Sequence, residues 1–156
     1  MMMIAALMLL AAAPVPPGEE AVAPYVVVDA NAGARPFEGG GMAAAFGGRA
    51  GIERIVDRFV AANFTDPVIG PIFAGQDRAR LTRVLKEQFC YILAAGCAYT
   101  GRDMASAHRD MGVQQKDMNR LVENLQAAMR AEGVPFAAQN RFLSRLAPMR
   151  DAIVTR

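Results

Sequence analysis

The chain has 156 residues, 53% of them hydrophobic and only 7% aromatic, with no tryptophan and a formal net charge of +2. That length supports one domain with a real core, and an apolar share made largely of Ala and Met favours helices over sheets. The small charge, with basic residues scattered rather than interleaved with aromatics in a stripe, argues against a nucleic-acid partner.

The first residues, MMMIAALMLLAAAPV, are apolar and uncharged. The run is too short for a comfortable membrane span and reads as the apolar region of a secretory signal. Its amino-terminal flank has no Lys or Arg, and the A-x-A-like triplets at 11–13 and 21–23 are each followed by proline, a poor cleavage context. Residues 1–23 are therefore expected to be a signal peptide or apolar leader, and 24–41 a Pro/Gly-rich linker. With the leader removed, no stable membrane span is expected and the protein is periplasmic or secreted; a leader that is not a signal leaves it cytoplasmic. YVVV at 25–28 is strand-like but has no obvious partner.

From Gly51 the pattern changes. Ile52, Ile55, Val56, Phe59 and Val60 follow the stripe of an amphipathic helix, which stops near Pro67 and Pro71. An irregular stretch, VIGPIFAGQD, follows. Leu81, Val84, Leu85, Gln88, Phe89 and Ile92 predict a second helix, punctuated at its end by Gly96 and Gly101. One short helix is expected around Met104 to His108. Met118, Leu121, Val122, Leu125 and Met129 predict a third long helix, and Phe142, Leu143, Leu146, Met149 and Ile153 a fourth. No segment alternates with period two, so residues 42–156 read as an all-α domain. The stretch from about 95 to 113 is long for a connection between bundle helices. A bound cofactor would hold it.

Cys90 and Cys97 would lie about 10 Å apart along an unbroken helix, too far for a disulfide. A bridge becomes possible if the helix ends near Gly96 and the chain folds back. Two small buried thiols are the alternative.

His108 is the only histidine in the chain. It is open to four readings: a surface residue, a buried hydrogen-bonded residue, a general base, or the single protein ligand to a haem iron. A hydrolase triad is poorly supported, because Ser106 would point elsewhere on a helix and no G-x-S-x-G is present. Cys90, Cys97 and His108 match no standard zinc spacing. A single-histidine haem site fits better. It needs one imidazole on a short element, an apolar slot and positive charges at the rim. Phe59, Val60, Phe73, Leu81, Leu85 and Phe89 could form the slot; Met104, Val113, Met118 and Leu121 could pack on the histidine side. Arg80, Arg83, Lys86 and Arg102 are rim candidates. Ordinary core packing and a solvated helix face are the plainer readings of these same residues.

The ordered set GGRAGIERIVDRFV, DPVIGPIFAG, RLTRVLKEQF, YTGRDMASAH, GVP and LAP resembles the group I truncated haemoglobins, from about Phe46 to Ile153. The resemblance implies a two-over-two helical sandwich around haem b, with O2, CO or NO as ligand and a reductase of unidentified kind. It makes His108 the proximal iron ligand, Phe73 an aromatic that stacks on the porphyrin, and Phe89 a haem-packing residue. Tyr99, Met104, Val113 and Met118 fall where the family lines the pocket, and Gly47, Gly48 and Gly101 at its helix-junction glycines.

The departures are distal. Many members carry a tyrosine where this chain has Val60, and a supporting glutamine at one of the positions taken here by Leu81 and Leu85. A dioxygen ligand becomes partly negative on binding. Losing a preorganised donor should therefore cost about 1–3 kcal/mol, roughly tenfold or more in affinity. Weak, fast-releasing O2 binding is expected, with CO and NO less affected. Competing readings are a haem enzyme for NO dioxygenation or peroxidase-like chemistry, which the apolar distal residues disfavour, and a haem-free helical interaction module.

Overall fold

The computed structural model describes residues 14–155. The described residues form helices and irregular connections with no strand: α1 (Gly41–Ala45), α2 (Gly48–Thr65), α3 (Gly70–Phe73), α4 (Arg78–Ile92), α5 (Met104–Ala107), α6 (Gln115–Ala131), α7 (Phe136–Leu146) and α8 (Arg150–Ile153), with short 3-10 turns at Asp29–Ala32 and Ala147–Met149. The apolar run at 1–13, on which the expected signal rests, lies outside the described residues.

Helix α2 is the hub and packs against both α4 and α6. Its stripe of Ile52, Ile55, Val56, Phe59 and Val60 is buried, as its periodicity requires. Phe142 of α7 closes the core edge-on to Phe89 of α4, with ring centroids 5.0 Å apart, and to Phe46, 5.2 Å away. These two contacts carry α7 onto the α2–α4 pair.

Local chemistry sets the ends of the elements. The Asp77 carboxylate accepts the Arg80 amide at 3.0 Å and so caps α4. Asp103 does the same for α5 through the Ser106 amide at 3.0 Å. Between α2 and α3 the buried Asp66 accepts the amides of Val68 at 2.8 Å and Ile69 at 3.2 Å. Asp66 also accepts Arg120 Nε at 2.7 Å and Asn124 Nδ2 at 3.2 Å, which ties this turn to α6. Burial would raise the Asp66 pKa, but these four donors outweigh it and hold the carboxyl down at about 2.

Three expectations change. The stretch at VIGPIFAGQD contains the helical turn α3, seeded by Pro71 at its first turn. The fourth stripe does not form one helix. α7 ends at Leu146, Pro148 sits in a 3-10 turn, and α8 carries Ile153 separately, because proline cannot continue the i→i−4 ladder. The Pro/Gly-rich stretch before α1 is irregular, as its composition suggests, but it is not loose. Ala32 is fully buried, and the Phe37 amide donates to the Ile92 carbonyl at 2.8 Å.

The two cysteines are bridged, with Cα atoms 5.6 Å apart. Helix α4 stops at Ile92 and the chain turns back through Ala94, at φ +59°. That reversal removes the separation an unbroken helix would have imposed. With both sulfurs in one bond, neither is available as a zinc ligand.

No helix among the described residues is long and apolar enough to cross a membrane.

Candidate functional site

His108 ends α5, one helical turn after Met104. Its ring Nδ1 lies 2.8 Å from the Met104 carbonyl oxygen. A carbonyl only accepts, so Nδ1 carries the proton and Nε2 keeps the lone pair. The ring is half-buried, and burial lowers its pKa below the ordinary histidine value although the Met104 carbonyl pulls the other way. Burial dominates and favours the neutral ring, while the carbonyl contact orients it and leaves one nitrogen available as a donor to a metal. A second partner on the far nitrogen is the usual way a ligating histidine has its tautomer and orientation fixed.

Gln88 of α4 is buried and its Nε2 lies 3.5 Å from the Met104 sulfur. Leu81, Val84 and Leu85, earlier on α4, are half-buried, as are Met118, Leu121 and Val122 on α6. These side chains belong to the inward stripes of their helices, yet the chain itself covers them only in part.

The predicted site residues divide into two groups. Val60 and Phe89 are buried, and with Leu85, Met104 and Leu121 they join one contiguous apolar cluster. Phe73, Leu81, Tyr99, Val113 and Met118 lie outside it. The Phe89 ring is committed to the core, stacked on Phe59 at 6.2 Å and edge-on to Phe142. Phe73 packs on Phe64 with ring centroids 5.7 Å apart, closing the α2–α3 corner. Tyr99 is turned back on its own loop. Its hydroxyl donates to the Arg102 carbonyl at 2.9 Å, and burial pushes its pKa up to about 12. Gly101 is needed beside it, since a Cβ there would fall 2.2 Å from the Tyr99 hydroxyl oxygen. Val113 is buried after α5, and its carbonyl accepts the Thr155 amide at 3.2 Å.

The expected rim cations are already engaged by the chain. Arg83 and Arg80 both reach the Glu19 carboxylate, Lys86 pairs with Asp57 at 2.8 Å on the α2 side, and Arg102 lies over the Tyr25 ring at 5.6 Å. Sequence reasoning missed Glu19, and no periodic signal could have found it. The acidic pair Glu19–Glu20 in an otherwise apolar Pro/Gly stretch was the one available hint. Gln88 is buried on α4, as its place in the helix stripe implies, and its amide donates to the Ala32 carbonyl at 2.8 Å, a partner the stripe does not reveal.

Residues 43–155 match the family model described as bacterial-like globin. Among relatives, group 1 truncated hemoglobin GlbN of Nostoc sp. (strain MUN 8820) is 31% identical over 110 residues, covering 70% of this chain and 93% of that protein. The solved truncated hemoglobin from Tetrahymena pyriformis superposes with a TM-score of 0.70 at 22% identity, over 74% of this chain and 98% of its own. The 2/2 hemoglobin from Synechococcus sp. PCC 7002, solved in the cyanomet state with covalently attached heme, gives 0.68 at 20% identity, over 74% and 98%. At these identities the two structures speak to the fold, a two-over-two arrangement.

Proposed function

Because this chain belongs to the bacterial-like globin family, as a truncated globin of group I, we propose that it binds haem b through His108 and takes up a diatomic gas at the iron. The observation that carries the reading is the Nδ1–H of His108 held on the Met104 carbonyl at 2.8 Å, which leaves Nε2 as a neutral donor. The residues fit a flat apolar group. Leu81, Val84 and Leu85 on one side, and Met104, Met118 and Leu121 on the other, are apolar, inward-patterned and only half-covered by protein. When bound, haem supplies an iron with an open coordination position for O2, CO or NO.

The chain's own residues set how that position behaves. His108 provides the single protein nitrogen. Met104 orients it through its carbonyl and packs beside it. On the opposite side Val60, Leu81 and Leu85 exclude water and offer no hydrogen-bond donor, while the amide of Gln88 is committed to Ala32. Discrimination among gases then rests on shape and polarity, favouring CO and NO over O2. A gas carrier, sensor or scavenger is consistent with this. NO dioxygenation and peroxidase-like chemistry both need polar distal groups that these residues do not supply. Reduction of the iron requires a separate reductase. The Cys90–Cys97 bridge supports an oxidising compartment, periplasmic or secreted.

The test is the absorption spectrum of the purified full chain, ferric and then dithionite-reduced. A Soret band should be present, should vanish in His108→Ala, and should return when imidazole is added to His108→Gly. A chain that shows no Soret band even after haem is supplied is a helical interaction module instead.

A further inference from the structure

Residues 19–37 lie outside the family match, which begins at residue 43, yet they are laced both to α4 with its cap and to the loop at Tyr99–Gly101. The Glu19 carboxylate, 3% exposed, meets Arg83 through both oxygens, one contact being Nη2 to Oε2 at 3.0 Å, and Arg80 lies 3.3 Å away. The Glu20 amide donates to Asp77 at 2.7 Å. Further along, the Tyr25 hydroxyl donates to the Thr100 carbonyl at 2.7 Å, and Asn31 Nδ2 reaches the Gly101 carbonyl at 3.3 Å. Asp29 accepts the Tyr99 amide at 2.9 Å. The segment then packs against both Gln88, whose amide donates to the Ala32 carbonyl at 2.8 Å, and Met104. A Cβ on Gly33 would fall 3.0 Å from the Met104 side chain.

Arg83 is the junction. Besides Glu19 it donates to Glu87 at 2.8 Å and to the Thr100 hydroxyl at 2.7 Å, while Glu87 accepts the Thr100 amide at 2.9 Å. Thr100 stands three residues before Asp103, the cap of the helix that ends in His108. One carboxylate on the amino-terminal segment therefore organises the arginine that fixes this loop against α4. It also engages Arg80 and Arg83, two of the cations expected at the rim.

We propose that residues 19–37 are a strap that clasps α4 to the loop before His108, with Glu19 as the positioning residue that latches it. The proposal rests on His108 being the haem ligand. It requires Glu19 to remain in the chain, since a cut after Ala23 would remove the latch.

The test compares the full chain with Glu19→Gln and with Tyr25→Phe, which keeps the ring but removes the hydroxyl. Haem dissociation into excess apomyoglobin should speed up by roughly tenfold in Glu19→Gln, the scale expected for one buried charge-assisted hydrogen-bond pair, and by less in Tyr25→Phe. The iron–histidine stretching band of the ferrous form should broaden or shift. In the apoprotein, hydrogen exchange over 99–108 should accelerate while that of α6 does not. Unchanged haem loss, band and exchange in Glu19→Gln would overturn the strap. Slower haem loss would overturn it too, by showing that Arg80 and Arg83 serve a cofactor better when Glu19 releases them. Failure of wild-type protein to bind haem counts against the haem reading, and the apoprotein exchange then decides the strap alone.

Discussion

At the scale of single residues, the site turns on one imidazole and three aliphatic side chains. His108 is oriented by the backbone carbonyl of Met104, one helical turn earlier. Its identity as the candidate ligand was legible in the sequence, since no other histidine competes. On the proposed distal side the sequence offers no donor at Val60, Leu81 or Leu85, and the Gln88 amide is spent on Ala32. Restoring a donor should change ligand kinetics selectively. Leu81→Gln at its half-buried position is expected to slow O2 release by roughly tenfold, the scale of one hydrogen bond to a partly charged acceptor, and to leave CO release nearly unchanged. Stopped-flow measurement of both off-rates checks this; equal slowing of the two gases would point to steric obstruction instead. Gly101→Ala should force the Tyr99 ring out of its seat and destabilise the protein by about 1–3 kcal/mol, read from chemical denaturation.

Helices are short-range objects, and most of these were visible in the periodicity of their apolar residues. The stripes of α2, α4 and α6 came through because each helix buries one face and nothing interrupts it. The fourth stripe misled for a specific reason. Phe142, Leu143, Leu146, Met149 and Ile153 keep helical spacing across Pro148, and the backbone breaks there although the buried face continues into the next turn. The bridge between Cys90 and Cys97 belongs to this scale too. It closes a seven-residue separation at the end of α4, and reduction should cost about 2–3 kcal/mol by loop-closure entropy. A fall in thermal midpoint on adding dithiothreitol, absent in Cys90→Ser/Cys97→Ser, would measure it. The α1–α2 corner is tighter still. A Cβ on Gly51 would lie 2.0 Å from the Phe46 carbonyl oxygen, closer than any relaxation of a backbone atom can absorb locally, so Gly51→Ala should shift α1 and lower stability by about 1–3 kcal/mol.

For the whole molecule, two buried carboxylates, Asp66 and Glu19, join elements far apart in the chain. Asp66 is one, holding the α2–α3 turn and α6 through four donors that keep its pKa at about 2. Its folded pKa lies below the unfolded value near 4, so its contribution is complete above that value and is lost as pH falls toward 2. Acid titration of stability should therefore show a component between about pH 4 and 2 that is missing in Asp66→Asn, and equal acid profiles for the two proteins would remove Asp66 from the account. Glu19 is the other such group, and it acts across sixty-four positions of sequence to reach Arg83.

The sequence alone determined the all-α class, the inward faces of the long helices, the single histidine and the apolar character of Val60, Leu81 and Leu85. Each of these depends on residue type and on spacing within one helix, which a linear pattern carries. Tertiary structure decided that Cys90 and Cys97 meet, that the fourth stripe is broken, that the Gln88 amide is committed to the Ala32 carbonyl, and that a stretch with the composition of a linker is tied down by Glu19, Tyr25 and Asp29. Those outcomes depend on where backbone groups and charges far apart in the chain come to rest. A carboxylate such as Glu19 carries no periodic signature; only the fold brings it to the arginines that fix its place.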